Sequence, residues 1–156
     1  MGKELVRRKM IAYLSMREEH VEQVAELEKL CFSSPWSEKS IAGELSNPLS
    51  LWLVALDGER VVGYVGSQSV IDEADMMNIA VHPAYRRLGV AERLVTLLCD
   101  RLCEKGVLSL SLEVRASNEP AKALYEKLDF IQVGRRPNYY RAPREDALIL
   151  RKEWQI

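Results

Sequence analysis

From Leu108 to Arg115 apolar and polar residues alternate strictly, with Leu108, Leu110, Leu112 and Val114 on one side and Ser109, Ser111, Glu113 and Arg115 on the other. A period of two marks a strand with one buried face, so Glu113 is expected on the polar side. Leu94, Val95, Leu98 and Leu102 recur at helical spacing and predict the longest helix, with Gly106 as its stop. Val21, Val24, Leu27 and Cys31 give an earlier helix a similar stripe, and Ser15 and Glu18, three apart, are its expected capping box. Pro35-Trp36-Ser37 opens a short second helix carrying Ile41 and Leu45, which Asn47-Pro48 ends.

Strands are predicted at Met10 to Leu14, and at Leu51 to Leu56 and Arg60 to Val70 on either side of the hairpin signal Asp57-Gly58. Asp72 to Asp75 reads as a polar turn before a further strand at Met76 to Val81. Asn118 is placed to cap a helix with Pro120 in its first turn and Ala121, Leu124, Tyr125 and Leu128 as its inner stripe. Phe130 to Gly134 and Ala147 to Leu150 close the pattern as strands. The resulting order is strand, two helices, three antiparallel strands, helix, strand, helix, two strands. It predicts an α+β, three-layer arrangement: a mixed, largely antiparallel sheet with helices on both faces. With no internal repeat and no Pro/Gly/Ser-rich linker, residues 1–156 are expected to form a single domain.

Composition narrows the function classes. Apolar residues make up 47% and charged residues 29%, which suits a globular core and excludes disordered or fibrous chains. The longest apolar run, Leu51 to Leu56, falls far short of the ~20 residues that span a bilayer. Twenty-two Lys and Arg against 23 Asp and Glu leave a net charge of −1, so neither nucleic acid nor a membrane surface is expected as a partner. Met1-Gly2 is followed by Val6 where an acylation signal needs Ser or Thr, and no apolar leader follows, so a cytoplasmic location is expected. Cys31, Cys99 and Cys103 lack a CxxC spacing and read as reduced core thiols. Only His20 and His82 are present, which argues against a His-based metal site; His82, before Pro83, suits a turn hydrogen bond, and His20 lies near a helix start.

Three features carry chemistry. Arg86-Arg87-Leu88-Gly89-Val90-Ala91 is a basic, Gly-containing turn running into a helix N-terminus, where unpaired N–H groups and the helix dipole favour an anion. It reads equally as a solvated basic turn, and it lacks the Lys-Ser/Thr end of a P-loop. Glu113 would become a proton acceptor if its face were partly desolvated, and is otherwise a solvated strand residue. Tyr125, on the inner stripe of its helix, reads as packing more readily than as catalysis. Arg135, Arg136, Arg141 and Arg144, interleaved with Tyr139 and Tyr140, could touch phosphates or form the rim of a substrate groove.

Together these segments resemble the GCN5-related N-acetyltransferase family over nearly the whole chain. Arg86 to Ala91 meets the family's Q/R-x-x-G-x-G/A signature directly after Asn78-Ile79-Ala80-Val81. Further similar stretches are Pro35-Trp36-Ser37-Glu38-Lys39, Leu112-Glu113-Val114-Arg115-Ala116-Ser117-Asn118, Ala123-Leu124-Tyr125-Glu126, Asn138-Tyr139-Tyr140 and Arg144-Glu145-Asp146-Ala147. The resemblance implies acetyl-CoA as co-substrate and no metal. It implies that backbone groups of Ile79, Ala80 and Val81 meet the pantetheine arm and polarise the thioester carbonyl. Arg86 and the run Arg87, Leu88, Gly89, Val90, Ala91 and Glu92 would hold the pyrophosphate, and Asn118 would touch the cofactor. Glu113 matches the general base and Tyr125 the general acid. The strand is expected to splay from Leu110 to Val114 to admit the cofactor.

Within the family these stretches are most similar to members that acetylate the N-terminal alanine of a small-subunit ribosomal protein, by direct transfer in a ternary complex. Trp36, Tyr139 and Tyr140 are then the expected walls of a peptide groove, with Glu38 and Glu44 as partners for a basic acceptor and a monomer as the expected state. Lysine side chains or a small amine as acceptor, or a non-catalytic acetyl-CoA-binding module, remain alternatives with the same fold. Two positions depart from the family pattern: Ala91 stands for Gly in the signature, and Asp129 stands for Gly after the Tyr-bearing helix.

Overall fold

The computed structural model describes residues 10–154, so the readings at Gly2 and Val6 fall outside the described residues. The elements are β1 (Ile11–Ser15), α1 (Val21–Cys31), α2 (Glu38–Glu44), β2 (Ser50–Asp57), β3 (Arg60–Val70), β4 (Glu73–Val81), α3 (Val90–Glu104), β5 (Ser109–Arg115), α4 (Glu119–Lys127), β6 (Ile131–Tyr140) and β7 (Glu145–Glu153). Their types and order are those that the periodicities predict. The strands form one seven-stranded sheet in the order β1-β2-β3-β4-β5-β7-β6. β4 and β5 run parallel, while the β1–β2, β2–β3, β5–β7 and β6–β7 pairs are antiparallel. No helix among the described residues is long and apolar enough to cross a membrane. The described chain divides into two compact units, 10–68 with 77–98, and 69–76 with 99–154.

In the first unit β2 is buried from Trp52 to Leu56 and β3 from Val61 to Ser67, because both of their faces are covered. Trp52 lies flat on its register partner Gly66, where a Cβ would come within 2.3 Å of the indole. The same indole stacks on Tyr64 at 5.9 Å and meets Trp36 edge-on at 5.4 Å, which anchors the α1–α2 connection. At Gly63 a Cβ would stand 3.1 Å from Val90 and 3.3 Å from the Ala80 carbonyl, so the missing side chain lets β4 and the first turn of α3 approach β3. The Ser37 hydroxyl caps α2 by accepting the Ser40 N–H at 3.1 Å.

Ser15 is not the N-cap that the spacing predicts; Arg17 takes that place. Ser15 is held extended in β1 opposite Leu53, and a short 3-10 turn at Glu18–His20 leads into α1 instead. The Arg17 N–H donates to Nδ1 of buried His20 at 2.9 Å, and burial lowers the pKa of that imidazole. His82 makes the expected turn bond, its Nδ1 accepting the Ala84 N–H at 3.0 Å.

In the second unit the expected polar turn is shorter, because Glu73, Ala74 and Asp75 pair in parallel with Ser109, Leu110 and Ser111, and ladder bonds outweigh their turn preference. That ladder ends at Asp75 and Ser111. Leu110, Leu112 and Val114 are buried as the alternation requires. Ser109 departs from it: paired with Glu73 on one side and Glu153 on the other, it is 2% exposed, while Leu108 is 38% exposed. β6 and β7 are longer than predicted and take in Arg135, Arg136, Tyr139 and Tyr140, with register shifts at Gln132/Gly134 and Arg136/Tyr140. Asn118 caps α4 through the Ala121 N–H at 3.2 Å. Asp129, in the left-handed region at φ 70, ends it. All three cysteines are free thiols, and burial pushes Cys99 up to about 11.

Candidate active site

The first unit carries the turn expected to bind an anion, Arg86 to Ala91. Gly89 is left-handed at φ 78, and a Cβ there would meet nothing within 4 Å, so its backbone faces open space. Arg87 beside it is also left-handed, at φ 64, a conformation uncommon outside glycine. α3 begins at Val90, so the positive end of a 15-residue helix follows the turn directly. Arg86 and Arg87 are exposed, whereas Leu88 and Val90 bury their side chains and present only backbone. Ala91 and Glu92 are half-buried in the first turn. The Arg86 guanidinium folds back, donating from Nε to the Val81 carbonyl at 3.3 Å and lying 3.9 Å from the Cys31 sulfur.

Ile79, Ala80 and Val81 form the end of β4 in the same unit. One of their expected roles is narrowed: the Ile79 N–H donates to the Asn78 Oδ1 at 3.1 Å and is already used. The Asn78 amide in turn donates to Glu28 Oε2 at 2.6 Å, beside a short bond from the Tyr64 hydroxyl, and Glu28 Oε1 accepts the Trp36 N–H at 2.8 Å. Glu28 is wholly buried, and burial raises its pKa. This carboxylate was missed in the sequence, although its place four residues after Val24 puts it on the apolar stripe of α1. Trp36 is half-buried and fixed at both ends by this bond and by Trp52. Glu44 accepts from Ser50, Trp52 and Gln68 at 2.8–3.2 Å, so the fold uses the carboxylate expected to meet an acceptor. Glu38 stays exposed.

The second unit carries the proton-transfer candidates. Glu113 is exposed on the polar face of β5, as the alternation requires, but a guanidinium and a phenol surround it rather than desolvating walls. Arg136 Nε is 3.5 Å from Oε2, the same guanidinium lies 5.9 Å from the centre of the Tyr139 ring, and Tyr139 is near enough to feel the charge of the carboxylate. The charge of Glu113 raises the pKa of Tyr139, and burial followed by that same charge raises that of Tyr140. The two rings meet edge-on at 5.1 Å. Tyr125 is buried in α4 with its hydroxyl 3.8 Å from the Met76 sulfur and its ring 5.4 Å from Phe130, and burial pushes its pKa up to about 12. The phenol therefore keeps its proton through neutral pH. Asn118 is exposed, with its Oδ1 used as the cap.

The acetyltransferase (GNAT) family matches residues 21–130, well over half of the chain. The chain belongs to the GNAT family. A protein of Bacillus subtilis (strain 168) is 41% identical over 140 residues, covering 89% of this chain and 93% of that one. The ribosomal protein bS18-alanine N-acetyltransferase of Escherichia coli (strain K12) is 41% identical over 126 residues, covering 80% and 84%. The crystal structure of the ribosomal-protein-S18-alanine N-acetyltransferase from Escherichia coli aligns with a TM-score of 0.87 at 36% identity, covering 94% of this chain and 96% of that one. The chain is thus an N-acetyltransferase of the GNAT fold, as its signature at Arg86–Ala91 implied.

Proposed function

We propose that this GNAT enzyme acetylates the N-terminal α-amine of a ribosomal protein that begins with alanine, using acetyl-CoA, in the cytoplasm and by direct transfer within a ternary complex. The observation that carries this reading is the 41% identity, over 80% of the chain, to an enzyme named for that acceptor. The family match is one continuous stretch, 21–130, which supports treating the chain as a single acetyltransferase domain.

The residues of the first unit suit acetyl-CoA. Open space at left-handed Gly89, exposed Arg86 and Arg87 and the N-terminus of α3 form a donor set for a pyrophosphate. Backbone groups of Ala80 and Val81 are the remaining candidates for the pantetheine arm once the Ile79 N–H is discounted. When bound, acetyl-CoA supplies an acetyl group activated as a thioester.

Glu113 and Tyr125 supply the proton chemistry. An α-amine has an unperturbed pKa of ~7.7–8.0, so much of it must lose a proton before it can attack. Glu113 takes that proton, and the arriving amine replaces Arg136 and Tyr139 as its partner. Tyr140 and Tyr139 flank the acceptor. Tyr125, protonated up to about 12, donates a hydrogen bond to the departing sulfur. A free thiol titrates near ~8.5, so the phenol is the weaker acid and hydrogen bonding is the larger part of its contribution.

Initial rates with both substrates varied test the mechanism on a basic peptide with a free N-terminal alanine. Intersecting double-reciprocal lines are expected; parallel lines, the sign of an acetylated enzyme, would contradict it.

A further inference from the structure

Arg115 stands two residues past Glu113 on the same face of β5, and its guanidinium donates three hydrogen bonds. Nη1 donates to the Pro143 carbonyl at 3.0 Å and to Glu145 Oε1 at 3.3 Å, Nη2 donates to the Arg141 carbonyl at 3.2 Å, and the group lies 4.4 Å from the centre of the Tyr140 ring. Glu145 Oε2 accepts the Ser117 N–H at 2.6 Å. Next to it, Asp146 accepts from the Asn138 N–H at 2.8 Å and from Arg135 Nε at 2.6 Å, while its carbonyl accepts the Ala116 N–H at 3.1 Å. These bonds tie the β5–α4 connection to the stretch that carries Tyr139 and Tyr140. Glu113 takes no part in them, yet its phenolic partner Tyr139 sits on the segment they hold.

We infer that Arg115 and Glu145 form a clasp that fixes Tyr139 and Tyr140 beside Glu113 and thereby sets affinity for the acceptor's N-terminal segment. Arg115 is on this view a positioning residue for the acceptor, and the inference rests on the acceptor reading above. Arginine is required because a planar fork can meet two carbonyls, a carboxylate and an aromatic face together, whereas an ammonium is a single point. Two of its partners are backbone carbonyls in the turn 141–144, so the turn is held whatever its side chains are.

The full chain tests this with acetyl-CoA and a basic peptide bearing a free N-terminal alanine. Arg115→Lys is expected to raise the acceptor KM about tenfold, since small misplacement of binding groups is costly, with the acetyl-CoA KM unchanged. Glu145→Gln is expected to shift the acceptor KM in the same direction by less. Trypsin gives a readout independent of activity: it cuts after Arg141 and Arg144, inside the clasped turn, and should nick Arg115→Lys several-fold faster there than the wild type. An unchanged acceptor KM with unchanged nicking would overturn the clasp. So would a parallel loss of kcat with a lowered Tm and both KM values intact, which is the signature of destabilisation alone. If the wild type fails to acetylate the α-amine, the acceptor reading falls separately, and nicking alone decides the clasp: faster in the variant supports it, equal rates overturn it.

Discussion

Glu28 in the first unit and Glu113 in the second are the same functional group in opposite surroundings. Glu28 has no exposure and accepts three hydrogen bonds, from Trp36, Tyr64 and Asn78, with no cation among these donors. Glu113 is exposed and meets one guanidinium and one phenol. A carboxylate offers about four lone-pair sites. Most of those on Glu28 are committed to holding β3, β4 and the α1–α2 connection, and the buried group cannot exchange them for a substrate. In the proposed role Glu113 exchanges its partners for an incoming amine, which its exposure allows. Burial makes one acid structural, and exposure leaves the other available for chemistry.

Removing each carboxylate should therefore fail in a different way. Glu113→Gln is expected to lower kcat/KM by about a hundredfold or more at neutral pH, with partial recovery as rising pH deprotonates the amine and with acetyl-CoA binding retained. Undiminished turnover across pH 6 to 9, a range of about three units around the amine's ordinary pKa, would remove it as the base. Glu28→Leu is expected to cost roughly 3 kcal/mol in urea unfolding, because it strands one buried donor, Tyr64, and two half-buried ones, Trp36 and Asn78, at about 1 kcal/mol each. Wild-type stability in that variant would erase the contrast. Arg87→Ala should weaken acetyl-CoA binding about tenfold by calorimetry, the scale of one charge-assisted contact.

Two pH effects sharpen the same comparison. Tyr125 has a folded pKa raised to about 12, so stability is unaffected below the ordinary phenol range and falls as pH rises from 10.0 towards that value, where only the unfolded chain ionises. Tyr125→Phe should flatten that limb of the alkaline unfolding curve. For Glu145 and Asp146 the order is reversed. Backbone and side-chain donors hold both carboxyls below their ordinary values, so their contribution is present above the unfolded pKa values and lost as pH falls below about 4. Hydrogen exchange in the turn 141–144 should accelerate there first. The smallest expected effect is at the end of α4, where Asp129→Gly should raise stability by about 0.5 kcal/mol by relieving a left-handed non-glycine residue.

The order of elements was legible because the apolar periods of α1, α3 and β5 are set by which face each element buries. The turn at Arg86–Ala91 was legible because Gly89 and the start of α3 encode it locally. The entry to α1 was not: Ser15 looks like a cap in isolation, but its pairing with Leu53 across β1 and β2 fixes it as strand. The surroundings of Glu113 were hidden for a similar reason. Arg136 and Tyr139 reach it from β6, whose register shifts at Gln132/Gly134 and Arg136/Tyr140 break the alternation that would have placed them. The Arg115–Glu145 clasp joins residues 30 apart in sequence and leaves no local pattern. Glu28 left a trace, because a carboxylate on the apolar stripe of a helix is carried into the core with its neighbours.

The acceptor is tested most directly by mass spectrometry of the enzyme with acetyl-CoA and two basic peptides, each beginning with alanine and containing a single lysine, one with a free N-terminus and one blocked. Acetylation confined to the free α-amine is the predicted result. Acetyl on lysine in both peptides would contradict it.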